Sequence, residues 1–232
     1  MPATPVPQEA PPLRVRTYHA RRGRLSSAHR EALSTLADRW SLNASGSPLV
    51  GSVELGNRTD VVLDIGCGMG DSTRAQALAT PNTDIIALDV HTRGVATLLR
   101  GIERDGLTNV RVVLGDAVTF IDERVTPTSL AGARIYFPDP WPKARHHKRR
   151  LVQPEFVHLL TGRLVPGGFV HCATDDNSYA GQMVAVFDAE PGLEVHPRLP
   201  ATVQRPVTKY ERRARRLGHP VHDIWVTRTL SS

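Results

Sequence analysis

The clearest indication of fold in this sequence is the segment Val61-Val-Leu-Asp-Ile-Gly-Cys-Gly-Met-Gly70. Four of its first five residues are apolar, with Asp64 the exception, which is typical of a buried strand. The three glycines that follow predict a turn in which a ligand can approach the backbone closely. A helix is predicted over Asp71–Ala79, and its first residues, Asp71, Ser72 and Thr73, are candidates for its cap. Strand, glycine turn and helix together are typical of one unit of an α/β sheet.

The rest of the chain repeats this alternation. Further strands are predicted over Ile85–Leu88, Val110–Leu114, Ile135–Phe137, Phe169–Ala173, Leu193–His196 and Ile224–Thr229. Further helices are predicted over Ser27–Trp40, Arg93–Asp105, Ala117–Glu123, Pro154–Leu164 and Ser178–Phe187. The pattern predicts an α/β fold with a mostly parallel sheet and helices on both faces. In such sheets, ligands bind beyond the carboxyl ends of the strands.

Ahead of this pattern the chain changes composition. Residues 1–12 contain five prolines and almost nothing to bury, which predicts a disordered tail. Residues 13–60 are predicted to form a basic arm and the first helix, and residues 61–232 a single α/β domain. The arginines of the arm fit either a solvated tail or a phosphate-binding arm; they are Arg14, Arg16, Arg21, Arg22 and Arg24.

Composition narrows the class of protein. The chain has 232 residues, 40% of them hydrophobic, and a net charge of +6, so that one sizeable core and an acidic partner are both plausible. Its two cysteines, Cys67 and Cys172, have no metal-ligand spacing, and the histidines have none either, so no metal is expected. No signal peptide or membrane span is evident, and the cytoplasm is the expected location.

Acidic residues lie at the carboxyl ends of the first three strands of the predicted sheet. The glycines have G-x-G-x-G spacing, with Asp64 two residues before Gly66, rather than the G-x-G-x-x-G spacing of dinucleotide sites. A carboxylate there would repel a pyrophosphate but would pair with the ammonium group of S-adenosylmethionine. Asp89, 23 positions after Gly66, suits ribose hydroxyls, and Asp116 suits an adenine amino group. The predicted cofactor is therefore S-adenosylmethionine.

A second distinctive segment is Arg134-Ile-Tyr-Phe-Pro-Asp-Pro-Trp-Pro-Lys-Ala-Arg-His-His-Lys-Arg-Arg150. Pro138 and Pro140 end the predicted strand and hold Asp139 on a stiff turn. Trp141 would either stack on a base or pack against the turn, and a run of cations follows it. An acid, an aromatic ring and a cationic run indicate a site for a polyanion that carries a planar base.

These segments resemble those of a known family. Asp64–Gly70 resembles the cofactor loop of the class I methyltransferases. The resemblance to the bacterial tRNA (guanine-N7-)-methyltransferases is carried by Tyr136–Arg150, Ala173–Ala180, Arg205–Glu211 and Arg216–His219. It extends from about Arg14 to Arg228, although the family usually has Glu where Asp64 and Asp89 stand. The resemblance implies a Rossmann-like seven-stranded sheet and methylation of a guanosine at N7 in the tRNA variable loop.

The resemblance also implies roles for individual residues. The donor site would comprise Asp64, Gly66, Gly68, Gly70, Asp89, Asp116 and Asp139. The substrate site would comprise Lys143, Asp175, Thr208, Lys209, Tyr210 and Glu211. RNA would contact Arg145, His146, His147, Lys148, Arg149 and Arg150. The implied partner is tRNA, with no membrane and no obligate protein partner, for a monomer or homodimer.

The chemistry of this reaction needs little from the protein. Guanine N7 already carries an in-plane lone pair, and a sulfonium is a good leaving group, so neither a general base nor a metal is required. What remains is positioning and electrostatics. A carboxylate that faces guanine N1–H and N2–H₂ would favour the cationic product ring. Asp139 is the first candidate for this role and Asp175 the second.

Three alternatives stay open at this stage. The first is methylation of an adenine amino group, because Pro138-Asp139-Pro140-Trp141 distantly resembles the Asp-Pro-Pro-Trp signature, with the residues in a different order. The second is an RNA-binding protein with a vestigial donor pocket, which the intact acids disfavour. The third is a nicotinamide oxidoreductase, which the glycine spacing disfavours.

Overall fold

The computed structural model describes residues 17–18, 24–49 and 60–230. The tail predicted over residues 1–12 and most of the basic arm, including Arg14, Arg16, Arg21 and Arg22, lie outside the described residues. Among the described residues, every helix is too short or too polar to cross a membrane.

Strands and helices alternate through the described chain. The strands are β1 Asp60–Ile65, β2 Thr83–Asp89, β3 Val110–Leu114, β4 Leu130–Tyr136, β5 Leu164–Thr174, β6 Leu193–His196 and β7 His222–Arg228. The α-helices are α1 Ser27–Trp40, α2 Asp71–Ala79, α3 Thr92–Asp105, α4 Ala117–Arg124, α5 Pro154–Arg163, α6 Asn177–Ala189 and α7 Lys209–Arg216. A 3-10 helix, Ala144–Arg149, lies between β4 and α5.

The strands form one seven-stranded sheet in the order β3-β2-β1-β4-β5-β7-β6. Strands β1 to β5 are parallel, and β7 runs antiparallel to both β5 and β6. The order reverses at β1, which pairs with β2 on one side and β4 on the other. A crevice for a ligand is expected at such a reversal. The predicted mostly parallel, Rossmann-like sheet is confirmed.

Both faces of the sheet are covered. Alternate residues of β2 enter different cores, because side chains of a strand point to opposite faces. Ile86 belongs to a large cluster that contains the buried side chains of α4, α5 and α6. Ile85 belongs to a smaller cluster that contains Trp40 of α1 and Leu98 of α3. Each helical layer therefore buries one face of the central strands.

Several sequence predictions match the observed elements closely. The bounds of α1, α2, β3 and β6 agree with the predicted ones. The strand predicted over Ile135–Phe137 was wrong at both ends, since β4 begins at Leu130 and ends at Tyr136. Phe137 leaves the sheet with a φ of 52°. Leu164, predicted as the end of a helix, begins β5 instead.

Candidate active site

A pocket opens where the sheet order reverses, beyond the carboxyl ends of β1 and β4. Three segments of the chain line it. The first is the glycine turn between β1 and α2, together with the first residues of that helix, and the second is Tyr136 and Phe137 at the end of β4. The third is the start of α7, where Thr208, Lys209 and Tyr210 face the pocket. The structure thus brings the two distinctive sequence segments to one site.

The backbone of the glycine turn is left-handed at three positions. Gly66, Gly68 and Gly70 have φ values of 77°, 60° and 79°, which residues with a side chain rarely adopt. Gly70 is also the N-cap of α2 and makes no side-chain cap. The predicted caps Asp71, Ser72 and Thr73 were therefore wrong, since they lie inside the first turn of the helix.

Thr73 instead supports the acid at the base of the pocket. Its hydroxyl donates to Asp64 Oδ2 at 2.5 Å. Asp64 is only 2% exposed, and its burial raises the pKa, against the hydrogen bond from Thr73 and the charge of Arg134, which lower it. An acid in these surroundings gains most from a cationic partner.

Asp89 anchors the glycine turn to the end of β2. One carboxylate oxygen accepts the backbone N–H of Gly68 at 2.7 Å. The other accepts the backbone N–H of His91 at 2.8 Å and contacts the His91 ring at 2.8 Å. The third predicted donor residue, Asp116, caps α4 by accepting from the backbone of Val118 and Thr119. Neither Asp89 nor Asp116 lines the pocket described above.

The turn after β4 is tightly constrained. Phe137 and Trp141 both have positive φ values, 52° and 45°, on either side of Asp139. Trp141 is 5% exposed, and its indole N–H donates to the backbone oxygen of Thr17 at 3.2 Å. Its ring also contacts the ring of His146 and the side chain of Arg149, with centroid distances of 5.9 and 4.9 Å. Asp139 is partly buried on this turn.

The cationic run after the turn is divided by burial. Arg145, Lys148 and Arg149 are exposed, as is Lys143 ahead of them. We call these four residues the cationic strip. His146 and His147, which were also expected to contact RNA, are partly buried.

Arg150, also predicted to contact RNA, is only 1% exposed. Its guanidinium donates to the backbone oxygen of Pro140 at 2.9 Å, to Gln182 Oε1 at 2.8 Å and to Ser178 Oγ at 3.2 Å. Burial therefore removes Arg150 from the surface that a phosphate can reach, and the prediction is corrected. The side chain holds the turn after β4 against α6.

Helix α7 was not predicted as an element, because its residues are almost all charged. Thr208 caps it by accepting the backbone N–H of Glu211 at 3.1 Å. Tyr210 stacks on Phe137, with ring centroids 6.2 Å apart. Glu211, expected at the substrate, is 2% exposed and is held by Arg205 and Arg215, each at 2.5 Å. Its burial places it behind the pocket wall rather than on its surface.

Asp175, the second candidate for the catalytic carboxylate, follows β5 and is partly buried. Its Oδ2 lies 4.0 Å from Nδ1 of His219. The next residue, Asp176, caps α6 by accepting the backbone N–H of Tyr179 at 2.7 Å. Asp175 and Asp139 thus follow neighbouring parallel strands, β5 and β4.

Sequence reasoning missed a set of polar contacts behind the pocket. The hydroxyl of Tyr136 and the Nδ1 of His171 are 2.9 Å apart, and His171 Nε2 is 2.8 Å from Asp223. Arg205 joins Asp223 to Glu211. The sequence signal that could have indicated these contacts is His171, which lies within the apolar residues of β5. A polar side chain that is buried in a sheet needs hydrogen-bond partners. We call Tyr136, His171, Asp223, Arg205 and Glu211 the polar relay.

Comparison with known proteins gives a consistent family. A sequence model of the family described as "Putative methyltransferase" matches residues 58–224. The tRNA (guanine-N(7)-)-methyltransferase of Streptomyces coelicolor is 47% identical, over 91% of this chain and 80% of that protein. The enzyme of the same name from Bordetella pertussis is 44% identical, over 92% and 85%. That of Nitrosospira multiformis is 43% identical, over 94% and 96%.

Solved structures show a related fold. An rRNA methylase from Streptococcus thermophilus superposes with a TM-score of 0.52 at 15% identity, over 76% of this chain and 90% of that one. The antibiotic-resistance methyltransferase Kmr superposes with a TM-score of 0.50 at 18% identity, over 77% and 90%. At such identities the similarity concerns the fold alone.

Proposed function

The chain belongs to the tRNA (guanine-N(7)-)-methyltransferase family, and we propose that it transfers the methyl group of S-adenosylmethionine to N7 of a guanosine in the variable loop of tRNA. The observation that carries this proposal is the pocket at the reversal of the sheet. There the glycine turn and the buried Asp64 lie across from the end of β4, which leads directly into the turn of Asp139.

The residues of the pocket fit S-adenosylmethionine. No atom lies within 4 Å of where a Cβ would stand on Gly66 or Gly68, so a ligand has room against the backbone. Asp64 would hold the ammonium group of the donor, and its carboxylate would repel an anionic ligand such as a pyrophosphate, with little screening by solvent because Asp64 is buried. Asp89 would hold the ribose and Asp116 the adenine; both acids lie outside the lining of the pocket.

Catalysis then rests on position and charge. When bound, S-adenosylmethionine supplies an electrophilic methyl group on a good leaving group. Asp139 would accept hydrogen bonds from guanine N1–H and N2–H₂, and its charge would stabilise the cationic ring as it forms. The constrained turn keeps this carboxylate in place before the substrate arrives, so little reorganisation is needed. Asp175 is the second candidate for this role.

The surface suits an RNA partner. The cationic strip lies directly after the Asp139 turn, and α7 exposes Arg212, Arg213, Arg215 and Arg216 near the other wall of the pocket. Such cations bind phosphates without reading sequence, and they would orient the tRNA while the base enters the pocket.

The test is methyl transfer from labelled S-adenosylmethionine to unmodified tRNA, followed by nucleoside analysis. We expect 7-methylguanosine, and a matched tRNA whose variable-loop guanosines are replaced should accept no label. Label in N6-methyladenosine would support the adenine alternative instead. Tight tRNA binding with no transfer would support an RNA-binding protein.

A further inference from the structure

We propose that Arg205, Glu211 and Asp223 are positioning residues that hold the first turn of α7 against the donor pocket, and that His171 extends this connection to Tyr136. The inference rests on the proposed function, because it assigns the pocket wall formed by α7 to donor binding. It gives Glu211 a structural partner in place of direct contact with the substrate.

Apolar packing does not explain how α7 stays in place. Six of its eight residues are charged. Only Glu211 and Ala214 are buried, whereas a surface helix ordinarily docks through a broad apolar stripe. Yet this helix begins with Lys209 and Tyr210, which line the pocket, and it follows Thr208, which does so too. Another interaction must fix its position.

Arg205 provides that interaction. Its guanidinium donates to both carboxylate oxygens of Asp223, at 2.8 and 3.2 Å, and to Glu211 at 2.5 Å. The planar fork of arginine suits such paired contacts, which a lysine cannot reproduce. The same guanidinium lies 5.6 and 5.5 Å from the ring centroids of Tyr136 and Phe137. One side chain therefore connects α7, β7 and the end of β4.

His171 extends the connection under the pocket. It is 1% exposed in β5 and bridges Asp223 on β7 and Tyr136 on β4. Burial acts to raise the pKa of Asp223, yet hydrogen bonds from His171 and Arg205 lower it to about 2. Although burial lowers the pKa of Arg205, its hydrogen bonds with Asp223 and Glu211 raise it. The central pair of the polar relay is thus fully charged near neutral pH.

The relay has the properties of a positioning device. The side chains of Glu211 and Arg205 are 3% and 6% exposed, and that of Asp223 is 25% exposed. Breaking the ion pairs of Arg205 therefore leaves a poorly solvated charge without its partner. Loss of either carboxylate should therefore release the start of α7 and leave the sheet beneath intact. Donor binding should suffer because Thr208, Lys209 and Tyr210 no longer close the pocket.

The experiment compares Asp223→Asn and Glu211→Gln with the wild type. Glu190→Gln is the matched control, because the Glu190 carboxylate also contacts a side chain of another helix, the His158 ring at 3.0 Å, at the far end of α6. Binding of S-adenosylhomocysteine is measured by calorimetry, and trypsin cleavage at the arginines of α7 by mass spectrometry. Both measurements are made without tRNA.

We expect the two relay variants to bind S-adenosylhomocysteine about ten- to a hundredfold more weakly. Each variant loses a relay hydrogen bond to a charged group, and ligand binding must then supply the free energy that this bond contributed to docking α7. Cleavage within α7 should become faster in both, and the control should change neither quantity. Wild-type values of both quantities in the relay variants would overturn the proposal, as would equal changes in the control.

Arg205→Lys keeps the result interpretable if the other variants fold poorly. It retains the charge but loses the fork, so weaker binding and faster cleavage should still appear. Unchanged binding and cleavage in that variant would contradict the proposal. Failure of the proposed function has a different signature, because a wild type that transfers no methyl group to tRNA would still show whether the relay holds α7.

Discussion

At the scale of single residues, Asp139 combines a charge with a position that is fixed in advance. Asp139→Asn keeps the size of the side chain, removes the charge that favours a cationic ring, and presents an amide donor to the guanine donors. We expect the single-turnover methylation rate to fall about a hundredfold or more, as for loss of one preorganised electrostatic group. Binding of tRNA should change little, because phosphates dominate it. A near wild-type rate would pass the role to Asp175.

Gly94 is a residue whose importance sequence reasoning did not reveal. A Cβ on this residue of α3 would lie 2.4 Å from the backbone oxygen of Gly68, so Gly94→Ala should displace the glycine turn. We expect weaker binding of S-adenosylhomocysteine in calorimetry. Gly181→Ala in α6 is the control, since no atom lies within 4 Å of its Cβ, and it should raise the free energy of unfolding by about 0.5–1 kcal/mol. If both variants bind S-adenosylhomocysteine equally well, the glycine turn accommodates the added Cβ without loss of donor affinity.

Which charged residues are buried could not be predicted from the sequence. Arg149 and Arg150 are adjacent and chemically identical, yet Arg149 is exposed to solvent and Arg150 is buried, with an exposed fraction of 1%. The partners of Arg150 come from α6 and from the turn after β4, and only the folded chain brings these together. Glu211 is hidden for the same reason.

At the scale of elements, the 3-10 helix Ala144–Arg149 presents cations to solvent. Lys148→Ala combined with Arg149→Ala should weaken tRNA binding. If each residue neutralises one phosphate, the slope of log affinity against log salt should fall by about 1.4 to 1.8 units. Arg150→Ala, the neighbouring control, should keep the slope and instead lower the free energy of unfolding by about 1–3 kcal/mol for each buried acceptor left unpaired. Salt titrations of tRNA binding and urea unfolding measure these effects. An unchanged slope in the double variant would mean that these cations do not contact phosphate.

Elements were predictable where one local signal was strong. The predicted bounds of α1, β3 and β6 agree with the structure because apolar periodicity matches the burial of each element. Periodicity failed for α7, because a helix held by ion pairs carries almost no apolar signal. It also failed at the start of β4, where Gly132 lies against Phe169 of the neighbouring strand. A contact between strands decides the extent of β4, and no local pattern contains it.

At the scale of the whole molecule, the order of the strands assembles the site. Residues 64 and 136 lie on the paired strands β1 and β4, and the start of α7 closes over both. The parallel sheet alone was enough to predict that the acids at successive strand ends share one edge, and the alternation of strands and helices indicates such a sheet. The polar relay could not be predicted in this way. His171 and Asp223 are 52 residues apart in the chain, and the antiparallel pairing of β5 with β7 brings them together.

That long-range pairing predicts how the molecule responds to acid. Asp223 faces His171 from β5 and Arg205 from the segment before α7, and its pKa is lowered from 3.8 to about 2 in the folded state. A lowered pKa stabilises the fold above the unfolded-state value and ceases to do so as pH falls through the folded-state value. The stability due to the Asp223 charge should therefore be complete above about pH 4–5 and lost toward pH 2.

The comparison that isolates this effect is between the wild type and Asp223→Asn, whose side chain does not titrate. The free energy of unfolding of both proteins is measured with urea at pH 6, 4 and 3. At pH 6 the wild type should have the higher free energy of unfolding, and its advantage over Asp223→Asn should become smaller as the pH falls. If the difference in free energy of unfolding stays constant from pH 6 to pH 3, the charge of Asp223 does not stabilise the fold. Asp223 would then contribute only through the packing of its side chain.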